Sequence, residues 1–217
     1  MLEGQKCLVI GSGISGIGAV ALLEKYHADV VLYDSSDKLT KEDLEAKLPG
    51  ESKAVCIAGE LPEEVELSIQ AAVLSPGVPT DIPLVNRMRD RGVQILGEIE
   101  LGFLAEQGRV IAITGTNGKT TTTTLTGEIM KAHFGEEKTF VVGNIGNPYT
   151  LEVTKTSKDS VTVGEISSFQ LETIHTFHPV VSAILNITPD HLNRHHTMEA
   201  YVAAKEAVAV SYTHLRA

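Results

Sequence analysis

Val110-Ile111-Ala112-Ile113-Thr114-Gly115-Thr116-Asn117-Gly118-Lys119-Thr120-Thr121 joins an apolar run of strand length to a glycine turn, a lysine and a threonine-rich helix start. Glycines let backbone N–H groups approach phosphates closely, and the first turn of a helix adds a partial positive charge. Gly115, Thr116, Asn117, Gly118, Lys119, Thr120 and Thr121 therefore read as a cradle for a nucleoside triphosphate. In it Lys119 reaches the terminal phosphates and the Thr120 hydroxyl is placed to ligate Mg²⁺. The loop departs from the common phosphate-loop spacing: a glycine is wanted where Ile113 stands, and the first glycine is Gly115. An ordinary tight turn with an incidental lysine is the plain alternative. The coincidence of strand, glycines, Lys-Thr and helix weighs against it.

Outward from the loop, short apolar runs alternate with amphipathic stretches, the mark of βα units around largely parallel sheets. Downstream, the pattern predicts strands at Val110–Thr114, Thr139–Gly143, Val161–Glu165 and Val180–Asn186, with helices at Lys119–Phe134 and Met198–Val210. Upstream, it predicts strands at Lys6–Gly11, Asp29–Asp34, Ala54–Ala58, Ala71–Leu74 and Gln94–Leu96, with helices at Ile14–His27, Thr40–Leu48 and Leu84–Arg91. The fold class is α/β. A Rossmann-like parallel-sheet domain over residues 1–104 is followed by part of a P-loop-type ATPase α/β domain over 105–217. The last residues, Ser211–Ala217, follow a helix with neither cap nor strand and read as the end of a truncated chain.

Of 217 residues, 42% are hydrophobic and 21% charged, enough for a core and a soluble surface. The net charge of −10 disfavours nucleic acid, whose phosphate backbone would be repelled. A nucleotide needs only a local nest of amides and one or two cations. Cys7 and Cys56 each sit in an apolar run and read as reduced thiols of a cytoplasmic protein. No segment approaches the ~18 consecutive apolar residues of a membrane helix, so membrane insertion is not expected.

In open parallel sheets, ligands bind beyond the carboxyl ends of the strands. Glu165 ends a predicted strand, where a carboxylate can hold Mg²⁺ beside a triphosphate, or can simply be solvated or cap the next helix. Thr188 and Pro189 predict an N-cap and first helical residue, which puts Asp190 and His191 in a first turn. A lone histidine is more often structural than a ligand. The cluster His191, His195 and His196 lacks the cysteines and paired-strand context of a zinc site. Lys205 lies mid-helix, and spacing alone assigns it nothing.

At the other end, Gly11-Ser12-Gly13-Ile14-Ser15-Gly16 follows a strand and opens a helix, and Asp34 ends the next strand. Taken alone, this fingerprint predicts an NAD(P)-dependent oxidoreductase. Its physical content is broader: the turn takes a diphosphate and the acid takes a ribose or base contact, which a nucleotide sugar also satisfies. Hydride transfer needs no triphosphate cradle, so the second loop argues for a different reaction. A non-catalytic nucleotide-binding module is a third reading.

With both loops in place the chain resembles the Mur ligases of peptidoglycan synthesis. The resemblance runs through Gly11–Gly16, Leu74–Pro79, Ile95–Glu100, Gly115–Thr122, Gly143–Gly146, Glu165–Glu172, Asn186–His195 and Tyr201–Lys205. Ser75-Pro76-Gly77-Val78-Pro79 and Gly97-Glu98-Ile99-Glu100 favour the D-glutamate-adding branch. The resemblance implies an ATP-dependent amide ligation joining D-glutamate to UDP-N-acetylmuramoyl-L-alanine through an acyl phosphate, by a cytoplasmic monomer. It implies that Lys119 and the loop hold ATP, with Thr120 and Glu165 on Mg²⁺. His191 would ligate a second Mg²⁺, with Lys205 a carbamoylated lysine bridging the metals. Asn144 and Ser167 would contact the muramoyl peptide, and Ile14, Ser15, Asp34, Ser75 and Gly77 the UDP end. Asn193 stands where many relatives carry Asp, and Ser36 where some carry Arg. The family has three domains, and this chain is expected to stop inside the second, without the C-terminal ligase domain and without turnover of its own.

Overall fold

The computed structural model describes residues 2–210, so the tail Ser211–Ala217 lies outside the described residues. The first half comprises β1 (Lys6–Ile10), α1 (Ile14–Lys25), β2 (Asp29–Asp34), α2 (Lys41–Glu45), β3 (Val55–Ala58), α3 (Glu63–Ser68), β4 (Ala71–Leu74), α4 (Pro83–Asp90) and β5 (Gln94–Gly97). α5 (Glu98–Ala105) leads to β6 (Arg109–Thr114), α6 (Lys119–Phe134), β7 (Thr139–Gly143), α7 (Tyr149–Glu152) and β8 (Val161–Glu165). α8 (Ser168–Leu171), β9 (Val181–Ile184), α9 (Leu192–His195) and α10 (Met198–Val210) complete the described chain.

The first sheet has strand order β3-β2-β1-β4-β5 and is parallel throughout. Strands covered on both faces carry unbroken apolar runs, and Cys7–Val9 and Ala71–Val73 are at most 1% exposed. Because β1 lies between β2 and β4, the strand order reverses there and a crevice opens above their carboxyl ends. The Gly11 turn and the Ser75 turn meet in that crevice. Gly11 has φ +99°, and a Cβ on Gly16 would stand 1.9 Å from the Gly11 carbonyl oxygen, so only glycine lets α1 close onto the turn.

The second sheet runs β7-β8-β6-β9, again parallel. Its register sets Glu165 of β8 between Ile113 of β6 and Gly143 of β7. The carboxylate thus emerges at the same sheet end as the loop that follows β6.

The two halves are laced by two buried carboxylates of α5, with Glu106 just after that helix adding a third. Glu98 Oε1 accepts from the Thr150 amide (2.8 Å) and hydroxyl (2.9 Å). Glu100 accepts from the amides of His175, Thr176 and Phe177 and from the Thr176 hydroxyl. Glu106 accepts from the hydroxyls of Tyr149 and Thr162, each at 2.8 Å.

Several predicted elements change on folding. The helix predicted over Thr40–Leu48 is α2 alone, capped by Thr40 in a reciprocal pair with Asp43. Thr188 does not open a helix: its amide donates to the Thr116 hydroxyl (3.0 Å), which donates back to its carbonyl. That tether holds 185–190 out of a helix, and the helix begins at Leu192 with His191 as N-cap at φ +52°. The short helices α3, α5, α7, α8 and α9 carry too few turns to show a period.

Glu66 of α3 is 7% exposed and takes Arg87 in a two-pronged pair (3.0 and 2.7 Å) and Arg91 at 2.7 Å. The Arg87 bonds, opposed by burial and joined by Arg91, hold its carboxyl at about 2 rather than 4.5. A depressed carboxylate stabilises the fold fully above its unfolded value and loses that contribution as pH falls through the folded one. Because the Arg87 side chain is 57% exposed, Glu66→Gln is expected to cost only about 1–2 kcal/mol at pH 7. Urea titrations should show that difference shrinking from pH 4.5 towards 2.

Candidate functional site

β6 delivers the chain into the loop Gly115–Gly118, and α6 receives it. Gly115 (φ +151°) and Gly118 (φ +80°) adopt backbone conformations that side chains resist, which turns the loop back on itself. Asn186 clamps it: its side chain accepts from the Asn117 amide (2.9 Å) and donates to the Asn117 carbonyl (3.0 Å). The Thr116 hydroxyl meets Tyr201 Oη at 3.0 Å. Lys119 Nζ lies back over the loop, donating to the carbonyls of Gly115 (3.0 Å) and Thr116 (2.9 Å). Lys205 Nζ donates to the same Gly115 carbonyl at 2.8 Å. Two ammonium groups therefore converge on one turn. Burial, then the neighbouring Lys119 charge, pushes Lys205 down to about 8, with Asp190 opposing.

Glu165 is 1% exposed. Its Oε1 accepts from Asn144 Nδ2 at 2.9 Å, and its Oε2 is buried with no partner. A carboxylate oxygen left so is costly unless something absent from the chain answers it. A hard cation is the natural answer, so the residues fit Mg²⁺. Among the described residues no three His, Cys, Asp or Glu side chains gather as a metal group. A cation here would be held by Glu165 with hydroxyl, imidazole or phosphate partners. Thr120, at the exposed start of α6, is one such hydroxyl. The His191 ring is about half exposed, with Nε2 3.5 Å from Asp190 Oδ2.

Lys119, Asn144, Ser167, His191 and Lys205 line one cleft of about 220 Å³ with Ser168, Phe169 and Tyr201. The Ser167 hydroxyl and amide are engaged with Gln170 in a capping pair for α8. Ile14, Ser15, Asp34, Ser75, Gly77 and Asn144 line a second cleft of about 460 Å³ above β1 and β4. Asn144 therefore faces both. Thr120 lines neither of these two clefts.

Asp34 is already tied into the glycine turn. Its Oδ2 accepts from the Ser12 amide (2.9 Å) and hydroxyl (2.6 Å), and its Oδ1 from the Ser36 amide (3.1 Å). Burial opposes its ionisation, but the Ser12 and Ser36 bonds and the Lys47 charge outweigh it and hold the carboxyl below its usual range.

Sequence reasoning gave no role to Asn186, Tyr201, Phe169, Ser12 or Lys47. Phe169 carries Arg194 over one face (5.0 Å) and stacks on His195 (5.4 Å). His195 is buried against the Ser168 hydroxyl (2.9 Å), and burial lowers its basicity. Only the cluster His191, His195 and His196 after β9 hinted at these contacts.

The Mur ligase middle-domain model matches residues 113–212, and the Mur ligase MurD-like N-terminal domain model matches residues 5–97. The chain is 57% identical over 212 residues to UDP-N-acetylmuramoylalanine–D-glutamate ligase of Lachnospira eligens, covering 98% of this chain and 46% of that protein. It is 54% identical to the enzyme of the same name from Lachnoclostridium phytofermentans (97% and 46% covered) and 45% identical to that of Clostridioides difficile (98% and 47%). It spans about half the length of these curated relatives. In fold, it is similar to UDP-N-acetylmuramate:L-alanyl-gamma-D-glutamyl-meso-diaminopimelate ligase from Neisseria meningitides, with TM-score 0.56 at 14% identity, covering 95% of this chain and 68% of that one. It is also similar to a murein peptide ligase from Psychrobacter arcticus, with TM-score 0.53 at 14% identity, covering 93% and 46%.

Proposed function

This chain belongs to the Mur ligase family, and we propose that it forms the nucleotide-handling part of an ATP-dependent ligase that adds D-glutamate to UDP-N-acetylmuramoyl-L-alanine. The carboxylate of the alanyl end attacks the γ-phosphorus of ATP and displaces ADP. The D-glutamate amine then attacks the resulting acyl phosphate and expels inorganic phosphate. The hydride-transfer alternative has no support, since the matching domains and relatives are ligases.

The chain's own residues divide the work between the two clefts. Residues 115–121 cradle the triphosphate, with Lys119 leaving its loop carbonyls to meet phosphate oxygens. Glu165 and the Thr120 hydroxyl would hold one Mg²⁺, and His191 with a carbamoylated Lys205 a second; bound there, the cations would neutralise charge on the transferring phosphoryl group. Lys205 is suited to carbamoylation because a lysine held near 8 has neutral amine available to add to CO₂, releasing a proton. Ile14, Ser15, Asp34, Ser75 and Gly77 hold the UDP end. Asn144, which faces both clefts, and Ser167 hold the muramoyl peptide between them. A cytoplasmic location fits the buried free thiols Cys7 and Cys56. Among the described residues no helix is long and apolar enough to cross a membrane.

The observation that carries this reading is the unpartnered Glu165 Oε2, at the end of the strand that pairs with the one leading into the Gly115 loop. Calorimetric titration of the chain with ATP is expected to show affinity that depends on Mg²⁺. In Glu165→Gln the Mg²⁺ dependence should vanish. Equal affinity with and without Mg²⁺ in the unsubstituted chain would remove the metal role of Glu165.

A further inference from the structure

We propose that Lys47 is the cation that grips the diphosphate of the nucleotide ligand in the Gly11–Gly16 cleft. The inference rests on the reading of that cleft as a nucleoside-diphosphate site and adds a residue that neither motif nor spacing points to. Lys47 lies in the turn after α2, in the stretch Thr40–Leu48 that reads from sequence as a charged helix.

The fold places it firmly. Thr40 and Asp43 cap α2, Leu44 is fully buried, and the Lys47 amide donates to the Leu44 carbonyl at 3.1 Å. From that anchored backbone the side chain reaches back across the sheet end. Its Nζ donates to the Ser12 hydroxyl (3.0 Å) and to the Ser12 carbonyl (3.3 Å). Ser12 is 4% exposed, lines the cleft and is the second residue of the glycine turn, so the ammonium stands one residue behind the cleft lining.

Three features make this an anion site rather than a structural tie alone. Among the described residues no carboxylate lies within 4.0 Å of Lys47 Nζ, so its hydrogen bonds go to neutral oxygens and the Asp34 and Asp43 charges act on it only from farther off. Asp34 is the nearest anion in the network, and both its oxygens are already engaged by Ser12 and Ser36. The 12-residue helix α1 opens on Gly13 with no side-chain cap and no acidic residue in its first turn, so Asp34, held by the Ser12 amide just before it, is the carboxylate that shares the cleft with its positive end. In a chain of net charge −10, two positive features therefore converge on one glycine turn. A diphosphate there would replace neutral acceptors of the ammonium by anionic ones, and such charge-assisted bonds are roughly twice as strong.

The test compares UDP with uridine, which share the base and ribose and differ in the diphosphate. Titrations of the chain would be followed by the amide signals of residues 11–16. Lys47→Met is expected to weaken UDP about tenfold and uridine by less than about twofold, while Lys47→Arg keeps most of the UDP affinity. UDP binding unchanged in Lys47→Met would overturn the proposal and leave the cleft assignment standing. Equal losses for UDP and uridine would also overturn it, showing that the lysine only holds the turn in shape. If the unsubstituted chain bound neither compound, the cleft assignment itself would fall, and the role of Lys47 with it.

Discussion

Lys119→Ala is expected to weaken Mg-ATP binding by this chain by about two to three orders of magnitude, since a phosphate-bound ammonium in a partly buried loop is a charge-assisted contact with no substitute nearby. Lys205 is close, but its ammonium is buried under the Gly115 carbonyl and committed to it at 2.8 Å. The substitution also makes a second, independent prediction. The Lys119 charge helps push Lys205 down to about 8, so removing it should raise Lys205 part of the way back towards 10.5. The recovery is partial because burial, the larger cause, remains. Carbamate formation on Lys205, followed with ¹³C-labelled bicarbonate, should then shift to higher pH in Lys119→Ala. A fold damaged by the substitution would lose both signals together. An intact variant that binds Mg-ATP as tightly as before would remove Lys119 from the phosphate site.

What could be read before folding was set by how locally each feature is encoded. The strands of both sheets were legible because parallel strands covered on both faces are apolar throughout, as Cys7–Ile10 and Val110–Ile113 are. Lys119–Phe134 was legible to the residue, because the glycine turn ends it on one side and Gly135 on the other. The candidate residues at strand ends were legible for the same reason: Glu165 had to emerge beside the loop once β6 and β8 paired. Pairings across long sequence separations were not. Thr116 binding Tyr201, 85 residues on, and Asn117 binding Asn186, 69 residues on, leave no mark in local pattern. The predicted N-cap at Thr188 failed in the same way. Its local chemistry favoured a helix, and a hydroxyl from the other side of the cleft outcompeted it.

The stretch Gly97-Glu98-Ile99-Glu100 shows how little residue type alone decides, and Glu100→Gln should be the most destabilising single-atom change in the chain. Both carboxylates are buried, at 2% and 1% exposure. Glu100 faces donors alone: Oε2 takes the amides of His175 (2.9 Å) and Phe177 (3.0 Å), and Oε1 the amide (2.7 Å) and hydroxyl (2.6 Å) of Thr176. A glutamine must turn its NH₂ towards one of those pairs. That sets donor against donor and orphans a buried amide. The cost expected is about 3–5 kcal/mol, which lowers the melting temperature of a chain this size by roughly 10 °C. Glu98 behaves oppositely. Only its Oε1 is bonded, to Thr150, its Oε2 has no partner, and burial pushes the carboxyl up from its usual range. A glutamine carbonyl keeps the Thr150 bonds, and its NH₂ replaces an oxygen that had nothing to lose, so Glu98→Gln should fall within about 1 kcal/mol of the unsubstituted chain. Paired thermal melts of the two variants decide the matter. Equal losses would mean that the amides of 175–177 are satisfied by something other than Glu100, and that the helix between the sheets is not what ties the loop before β9 to the first domain.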